Sequence, residues 1–298
     1  MAAQAPAAPP AQPPCSPTVT GELRIETFQS VVYSDRRTVR VWLPPGYGAA
    51  ESAKRQYPVL YMLDGQGAFD DCTAFKKERE LQVDETATRL IAERKIPPII
   101  VVGIDSSGRR NHEYAPYRDV LVEPAAPEPI GRELPGFVVN EVLAHVGRNY
   151  RVTAEPRLTA IAGASLGGLA ALYVLLNRPD RFGMGLLESP TLPQGNGQML
   201  RDTAFLARGP DRVYIGIGAT EMAVPGGDEF VAKLRIPMDV GNAGLVKMSE
   251  KLAANLRAAF LNRPEVTLVV EPAATHNSTS WARRLPRALV TLFGERPR

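Results

Sequence analysis

The pentapeptide Gly163-Ala164-Ser165-Leu166-Gly167 sets one serine between two glycines, and it can do nucleophilic chemistry only with help from elsewhere. A serine hydroxyl attacks a carbonyl when a base, normally histidine, takes its proton. The chain has three histidines, His112, His145 and His276, and only His276 follows Ser165. In α/β enzymes with a G-x-S-x-G corner, the order along the chain is nucleophile, acid, histidine. Ser165 and His276 therefore form the expected nucleophile–base pair. The orienting acid should end a strand between them. Glu221, closing "RVYIGIGATE", is the choice; Glu188, closing "FGMGLLESP", is the runner-up and Asp228 in "PGGDEF" the third. His145 lies within the helical pattern "FVVNEVLAHVGRNY" and reads as a structural residue. His112, in "GRRNHEYAPY", reads as a surface loop residue near the cleft rim.

Acyl transfer also needs donors for a developing oxyanion. One is expected from the backbone N–H of Leu166, next to the nucleophile. The other should come from the loop "LDGQGAFDD", with Gln66 taken as the donor and Gly67 left open. Gly65 and Gly67 would let that backbone approach a ligand. Packing of a tight corner explains the glycines around Ser165 equally well. The histidine and acid downstream are what favour chemistry.

These residues need a scaffold that brings distant chain ends to one edge. "ELRIETF" and "RTVRVWLPP" are β-rich and bounded by turns. Six short apolar runs follow, at "YPVLYMLDG", "PPIIVVGID", "RLTAIAGAS", "FGMGLLESP", "RVYIGIGATE" and "EVTLVVEP". Helical patterns separate them at 84–94, 136–148, 167–177, 244–261 and 280–293. Continuous apolar strands alternating with helices predict a mainly parallel sheet of about eight strands, covered on both faces. No helix separates the first two strands, so an antiparallel edge is expected there. Ligands in such sheets bind beyond the carboxyl ends of the strands, where Ser165, Glu221 and His276 all fall.

Composition excludes several other roles. Among 298 residues, Lys+Arg 35 and Asp+Glu 32 nearly balance, with no long basic run, which argues against nucleic acid. No apolar run approaches the roughly 20 residues that span a bilayer. "GQGAFD" lacks the third glycine of a dinucleotide fingerprint and no phosphate-loop motif occurs, so no nucleotide cofactor is expected. No C-x-x-C or His/Cys cluster suggests a metal. Residues 1–20, Ala/Pro-rich and without aromatics, read as a disordered leader before a single domain over 21–298. That leader suits the mature start of an exported, periplasmic or secreted protein, and a cytosolic tail also fits. Cys15 and Cys72 could pair in an exported chain, although two cysteines in a chain this long usually stay as free thiols.

Five stretches together resemble the putative-esterase family of α/β-hydrolases: "RTVRVWLPPGY", "YPVLYMLDGQGAFD", "VVGIDSSGRRNHEYAPY", "GASLGGLAALY" and "THNSTSWARRLPRAL". The family includes enterochelin-type siderophore esterases, feruloyl and acetylxylan esterases, S-formylglutathione hydrolases and mycolyltransferases. The resemblance runs from about residue 22 to the end. It implies the α/β-hydrolase fold and a triad of Ser165, Glu221 and His276, with an oxyanion hole at Gln66 and Leu166. It also implies substrate contacts from Arg110 and Tyr114 in the loop over the cleft. A serine carboxylesterase acting on a small-molecule ester, siderophore-type or carbohydrate-linked, is the expectation. An acyltransferase with the same triad and a non-catalytic hydrolase-like binding protein are the alternatives. The chain departs from the family in "SPTLPQGNGQML", which lacks the tryptophans often found there. The amino-terminal accessory domain of cytoplasmic enterochelin esterases is not expected here, which favours the single-domain, often periplasmic or secreted types.

Overall fold

The computed structural model describes residues 15–75, 79–119, 128–227, 236–259 and 261–295. Eight strands form one sheet: β1 (Glu22–Gln29), β2 (Arg36–Leu43), β3 (Val59–Leu63), β4 (Ile100–Ile104), β5 (Thr159–Ala164), β6 (Met184–Glu188), β7 (Arg212–Gly218) and β8 (Glu265–Glu271). Their spatial order is β1-β2-β4-β3-β5-β6-β7-β8. β1 pairs antiparallel with β2 and β2 antiparallel with β4, and every later pairing is parallel. The expected antiparallel edge and the parallel remainder are both present.

The central strands are buried on both faces, as their unbroken Val/Ile/Leu/Ala runs require. Val59, Tyr61 and Leu63 of β3 point into one apolar cluster, while Leu60 and Met62 point into the other. The first cluster is closed by α3 (Leu134–Phe137), a π-helical segment (Val138–Leu143), α4 (Ala144–Asn149), α5 (Leu166–Asn177) and α7 (Met238–Arg257). The second is closed by α1 (Val83–Ala92) and α8 (Ser278–Phe293). Two short helices complete the described set, α2 (Arg110–Tyr114) and α6 (Gln194–Asp202). No described helix is long and apolar enough to cross a membrane.

Three differences from the sequence expectation have physical causes. α7 begins at Met238, six residues before the pattern that starts at 244, because Gly241 and Gly244 interrupt its apolar periodicity. A Cβ on Gly241 would come 2.5 Å from the Met222 sulfur, so Met222 packs closely on the helix there. α6 carries Gly195, Asn196 and Gly197 at positive φ, so no helical pattern is legible in it. Residues 15–20, expected to belong to a disordered leader, are described and packed on the domain, while residues 1–14 lie outside the described residues. Cys15 forms a disulfide with Cys72 across 57 positions, so the free-thiol expectation gives way to pairing. Thr18 Oγ1 donates to Glu80, the Thr20 N–H donates to Asp84, and the Trp42 indole donates to the Thr20 carbonyl. Residues 15–20 are thus fastened to the domain.

Candidate active site

β5 ends at Ala164 and α5 begins at Leu166, leaving Ser165 alone to make the corner. Its backbone takes φ 58° and ψ −127°, a region costing about 1–3 kcal/mol for a non-glycine residue. The surroundings hold it there. The Ser165 N–H donates to the Glu188 carbonyl at 2.9 Å, and the Ser165 carbonyl accepts from Gly168, Leu169 and Thr191 at 3.0 to 3.2 Å. Gly163 is required by close approach, since a Cβ there would lie 2.2 Å from the Gly167 carbonyl oxygen.

His276 stands just before α8, whose amino terminus is capped by Asn277 accepting from the Ser280 N–H. Its Nε2 lies 2.8 Å from Ser165 Oγ and its Nδ1 lies 2.5 Å from Glu221 Oε2. Glu221 comes three residues after β7, and its side chain is only 1% exposed against 31% for His276. Its other oxygen, Oε1, accepts from the Gly218 N–H at 2.6 Å and from Ser189 Oγ at 2.8 Å. Burial pushes the Glu221 carboxyl up, but the His276 imidazole and these donors hold it below its ordinary range. An ionised, fully bonded carboxylate therefore fixes the imidazole with Nε2 facing the serine.

Glu188, the alternative acid, also lines the cavity, but its carboxylate meets Arg284 and not His276. Its Oε2 accepts from Arg284 Nε at 2.9 Å and Nη2 at 2.7 Å, and the pair is buried, at 5% and 4% exposure. Asp228 lies outside the described residues. His145 is structural, with Nε2 at 2.6 Å from Glu26 and its ring stacked on Phe28. His112 lies half-buried in α2 and does not line the cleft.

After β3, Asp64 turns at φ 61° into the short helical turn Gly65–Gly67. The expectation that Gly65 lets the backbone approach a ligand gives way to packing between this turn and β4. A Cβ there would lie 2.4 Å from the Gly103 carbonyl carbon of β4, so its glycine serves close packing. The Gly67 N–H donates to the Asp64 carbonyl, whereas neither the Gln66 nor the Leu166 amide finds an acceptor among the described residues. The Gln66 side chain is tied to Ser106, donating to Oγ at 2.6 Å and accepting from its N–H at 3.0 Å.

A cavity of about 320 Å³ opens at Ser165 and His276. Met62, Leu63, Leu186 and Leu285 form much of its wall, with Arg79 and Arg110 also facing it. Arg110 lines it as expected, but its guanidinium also holds Asp64 through two hydrogen bonds of 2.7 Å. Tyr114 does not reach the cavity. It is buried, and its hydroxyl accepts from the Asp64 N–H at 3.2 Å, so it supports the loop instead of touching a ligand.

Sequence reasoning missed Trp281 and Ser189. Trp281, in the first turn of α8, meets the His276 ring edge-on at 5.2 Å and donates its indole N–H to Ser189 Oγ at 3.0 Å. Ser189 passes that bond to Glu221. The missing tryptophans of "SPTLPQGNGQML" do not leave the cleft without aromatics, since Trp281 and Phe75 both line it. The spacing of His276 and Trp281 across a helix start was the available signal.

A family model described as Putative esterase matches residues 30–292. The protein YbbA of Bacillus subtilis, uncharacterized, is 23% identical over 261 residues, covering 87% of this chain and 93% of YbbA. An endo-1,4-beta-xylanase/feruloyl esterase of Xylanibacter ruminicola is 29% identical over 173 residues, which span 57% of this chain but only 22% of that protein. Among solved structures, the siderophore hydrolase EstA of Aspergillus nidulans superposes with TM-score 0.69 at 20% identity, covering 92% of this chain and 96% of EstA. The match over nearly the whole chain places this protein in the putative esterase family, as a carboxylic-ester hydrolase of the α/β-hydrolase fold.

Proposed function

We propose that the protein cleaves esters through an acyl-enzyme formed on Ser165. The observation that carries this reading is the unbroken line of hydrogen bonds from Ser165 Oγ through His276 to Glu221, at 2.8 and 2.5 Å. His276 Nε2 takes the serine proton as Oγ bonds to the ester carbonyl carbon. The Leu166 and Gln66 amides donate to the oxyanion that forms. The imidazolium, held by Glu221, then gives its proton to the departing alkoxide. Water, deprotonated by the same imidazole, releases the acid and restores Ser165.

The cleft chemistry supports a medium-sized ester with an apolar or aromatic acyl part. Met62, Leu186, Leu285 and Trp281 would bury that part, and Arg79 and Arg110 would face polar or anionic groups outside it. Siderophore-type and carbohydrate-linked hydroxycinnamoyl esters both meet this description. The Cys15–Cys72 disulfide supports a periplasmic or secreted setting, where such bonds persist.

Ser165→Ala should reduce hydrolysis of p-nitrophenyl acetate by at least about 10³-fold while the thermal midpoint stays within a few degrees. Activity within tenfold of the parent protein in that variant would overturn the proposal. A panel of trilactone siderophore, feruloyl-sugar and acetyl-sugar esters then ranks the substrate classes by kcat/KM.

A further inference from the structure

Away from the catalytic cleft, three carboxylates converge where residues 15–20 meet α1. An oxygen from each of Glu80, Asp84 and Glu85 lies within 4.8 Å of oxygens from the other two. Glu80 is 3% exposed and Asp84 fully buried. Each carboxylate spends one oxygen on the amino-terminal segment. Glu80 Oε1 accepts from Thr18 Oγ1 at 2.5 Å, Asp84 Oδ2 from the Thr20 N–H at 2.5 Å, and Glu85 Oε1 from Thr20 Oγ1 at 3.4 Å. The second oxygen of each, Glu80 Oε2, Asp84 Oδ1 and Glu85 Oε2, is buried with no hydrogen-bond donor among the described residues.

Three inward-turned carboxylate oxygens with no cation beside them among the described residues are costly to ionise, because desolvation and mutual repulsion add, and burial raises both Glu80 and Asp84. Arg79, the nearest basic residue in sequence, pairs with Asp71 at 3.0 Å instead. The amino terminus of α1 offsets only part of this charge. A divalent cation would offset it directly. Two oxygens that each sit about 2.4 Å from one ion can be no more than about 4.8 Å apart, and the three carboxylates satisfy that limit. The donor set is all oxygen, which suits a hard cation and not zinc.

We propose that Glu80, Asp84 and Glu85 bind a hard divalent cation, with Ca²⁺ the best fit, that fastens residues 15–20 and one wall of the cleft to α1. The link to the cleft is covalent and short. Leu81, next to Glu80, lines the cavity, and its N–H donates to the Gly67 carbonyl at 2.9 Å. The adjacent Asp71 accepts from the Glu80 N–H at 2.8 Å, and Cys72 carries the disulfide. The site lies apart from Ser165, so its test does not depend on the esterase reading.

The full chain, stripped with EDTA and dialysed, is titrated at pH 7.5 with CaCl₂, and in parallel with MgCl₂ and MnCl₂, by calorimetry and thermal melting. One saturable site is expected, with a midpoint rise of about 5 °C at a hundredfold excess over Kd. Glu85→Gln, at a half-buried position, should weaken binding at least tenfold, and Asp84→Asn combined with Glu80→Gln should abolish it. If the double variant does not fold, Glu85→Gln decides alone. No saturable binding of any of the three ions, or binding unchanged in Glu85→Gln, overturns the proposal.

Discussion

Replacing Glu221 by Gln changes one oxygen into an amide nitrogen at the most sheltered point of the catalytic line. Glu221 Oε1 holds the Gly218 N–H and Ser189 Oγ, two donors, so the oxygen of the new amide must stay on that side. The amide NH₂ then faces His276 Nδ1, which the carboxylate now meets at 2.5 Å. An NH₂ donor there forces Nδ1 to accept, and the ring proton moves to Nε2. Nε2, 2.8 Å from Ser165 Oγ, can then no longer receive the serine proton. Loss of the correct tautomer costs about 10³- to 10⁴-fold in kcat in Ser-His-acid enzymes, or about 4 to 5.5 kcal/mol of barrier. KM should change little, because Glu221 lies behind the imidazole and does not line the cavity. The assay is steady-state hydrolysis of p-nitrophenyl acetate at pH 8, with a thermal melt to confirm the fold. Glu188→Gln is the control. It leaves Arg284 buried with Glu271 as its one remaining carboxylate among the described residues, at 2.9 Å, so it should cost about 3 kcal/mol of stability but less than tenfold in kcat. Activity of Glu221→Gln within tenfold of the parent protein, or a larger kcat loss at Glu188→Gln, would refute the reasoning.

Three further outcomes follow from the same structure. Trp281→Phe keeps an aromatic edge against His276 but removes the 3.0 Å bond to Ser189, and kcat should fall about fivefold, the worth of one hydrogen bond of about 1 kcal/mol; an unchanged kcat would show that Ser189 needs no indole donor. Burial pushes Glu188 up to about 7 from an ordinary value of 4.5, against the pull of Arg284. Because the folded protein then holds this proton to higher pH than the unfolded chain, the stabilising contribution is complete below about pH 4.5 and is lost as pH rises through about 7. Thermal midpoints at pH 5 and 8 should therefore differ less in Glu188→Gln than in the parent protein, and an equal difference would contradict this. Breaking the Cys15–Cys72 bond frees a loop of 57 positions, so denaturant unfolding with and without reductant should differ by at most about 4 kcal/mol. The hydrogen bonds from Thr18 and Thr20 persist and reduce the loss; no difference at all would mean the bond adds nothing to the fold.

The amino-acid sequence by itself determined the strand–helix alternation, the strained serine corner and the order in which nucleophile, acid and histidine occur. Those features are local: apolar runs make buried strands, glycines permit the corner, and chain order needs no coordinates. Ser165 and His276 were legible for that reason. Which of Glu221 and Glu188 meets His276 was open in the sequence and is set only in three dimensions, where Glu221 does. Glu188 ends β6 and Glu221 follows the adjacent parallel strand β7, and what separates them is Arg284, which α8 brings from 96 positions away to hold Glu188. The same holds for Tyr114, expected as a substrate contact over the cleft, which instead lies buried with its hydroxyl on the Asp64 backbone. Pairing of Cys15 with Cys72, the route from Trp281 through Ser189 to Glu221, and the convergence of Glu80, Asp84 and Glu85 on Thr18 and Thr20 were likewise decided by packing. Local pattern fixes which face of an element is buried. Which side chain from another element meets it depends on sheet twist and helix placement, and those are settled by the whole chain at once.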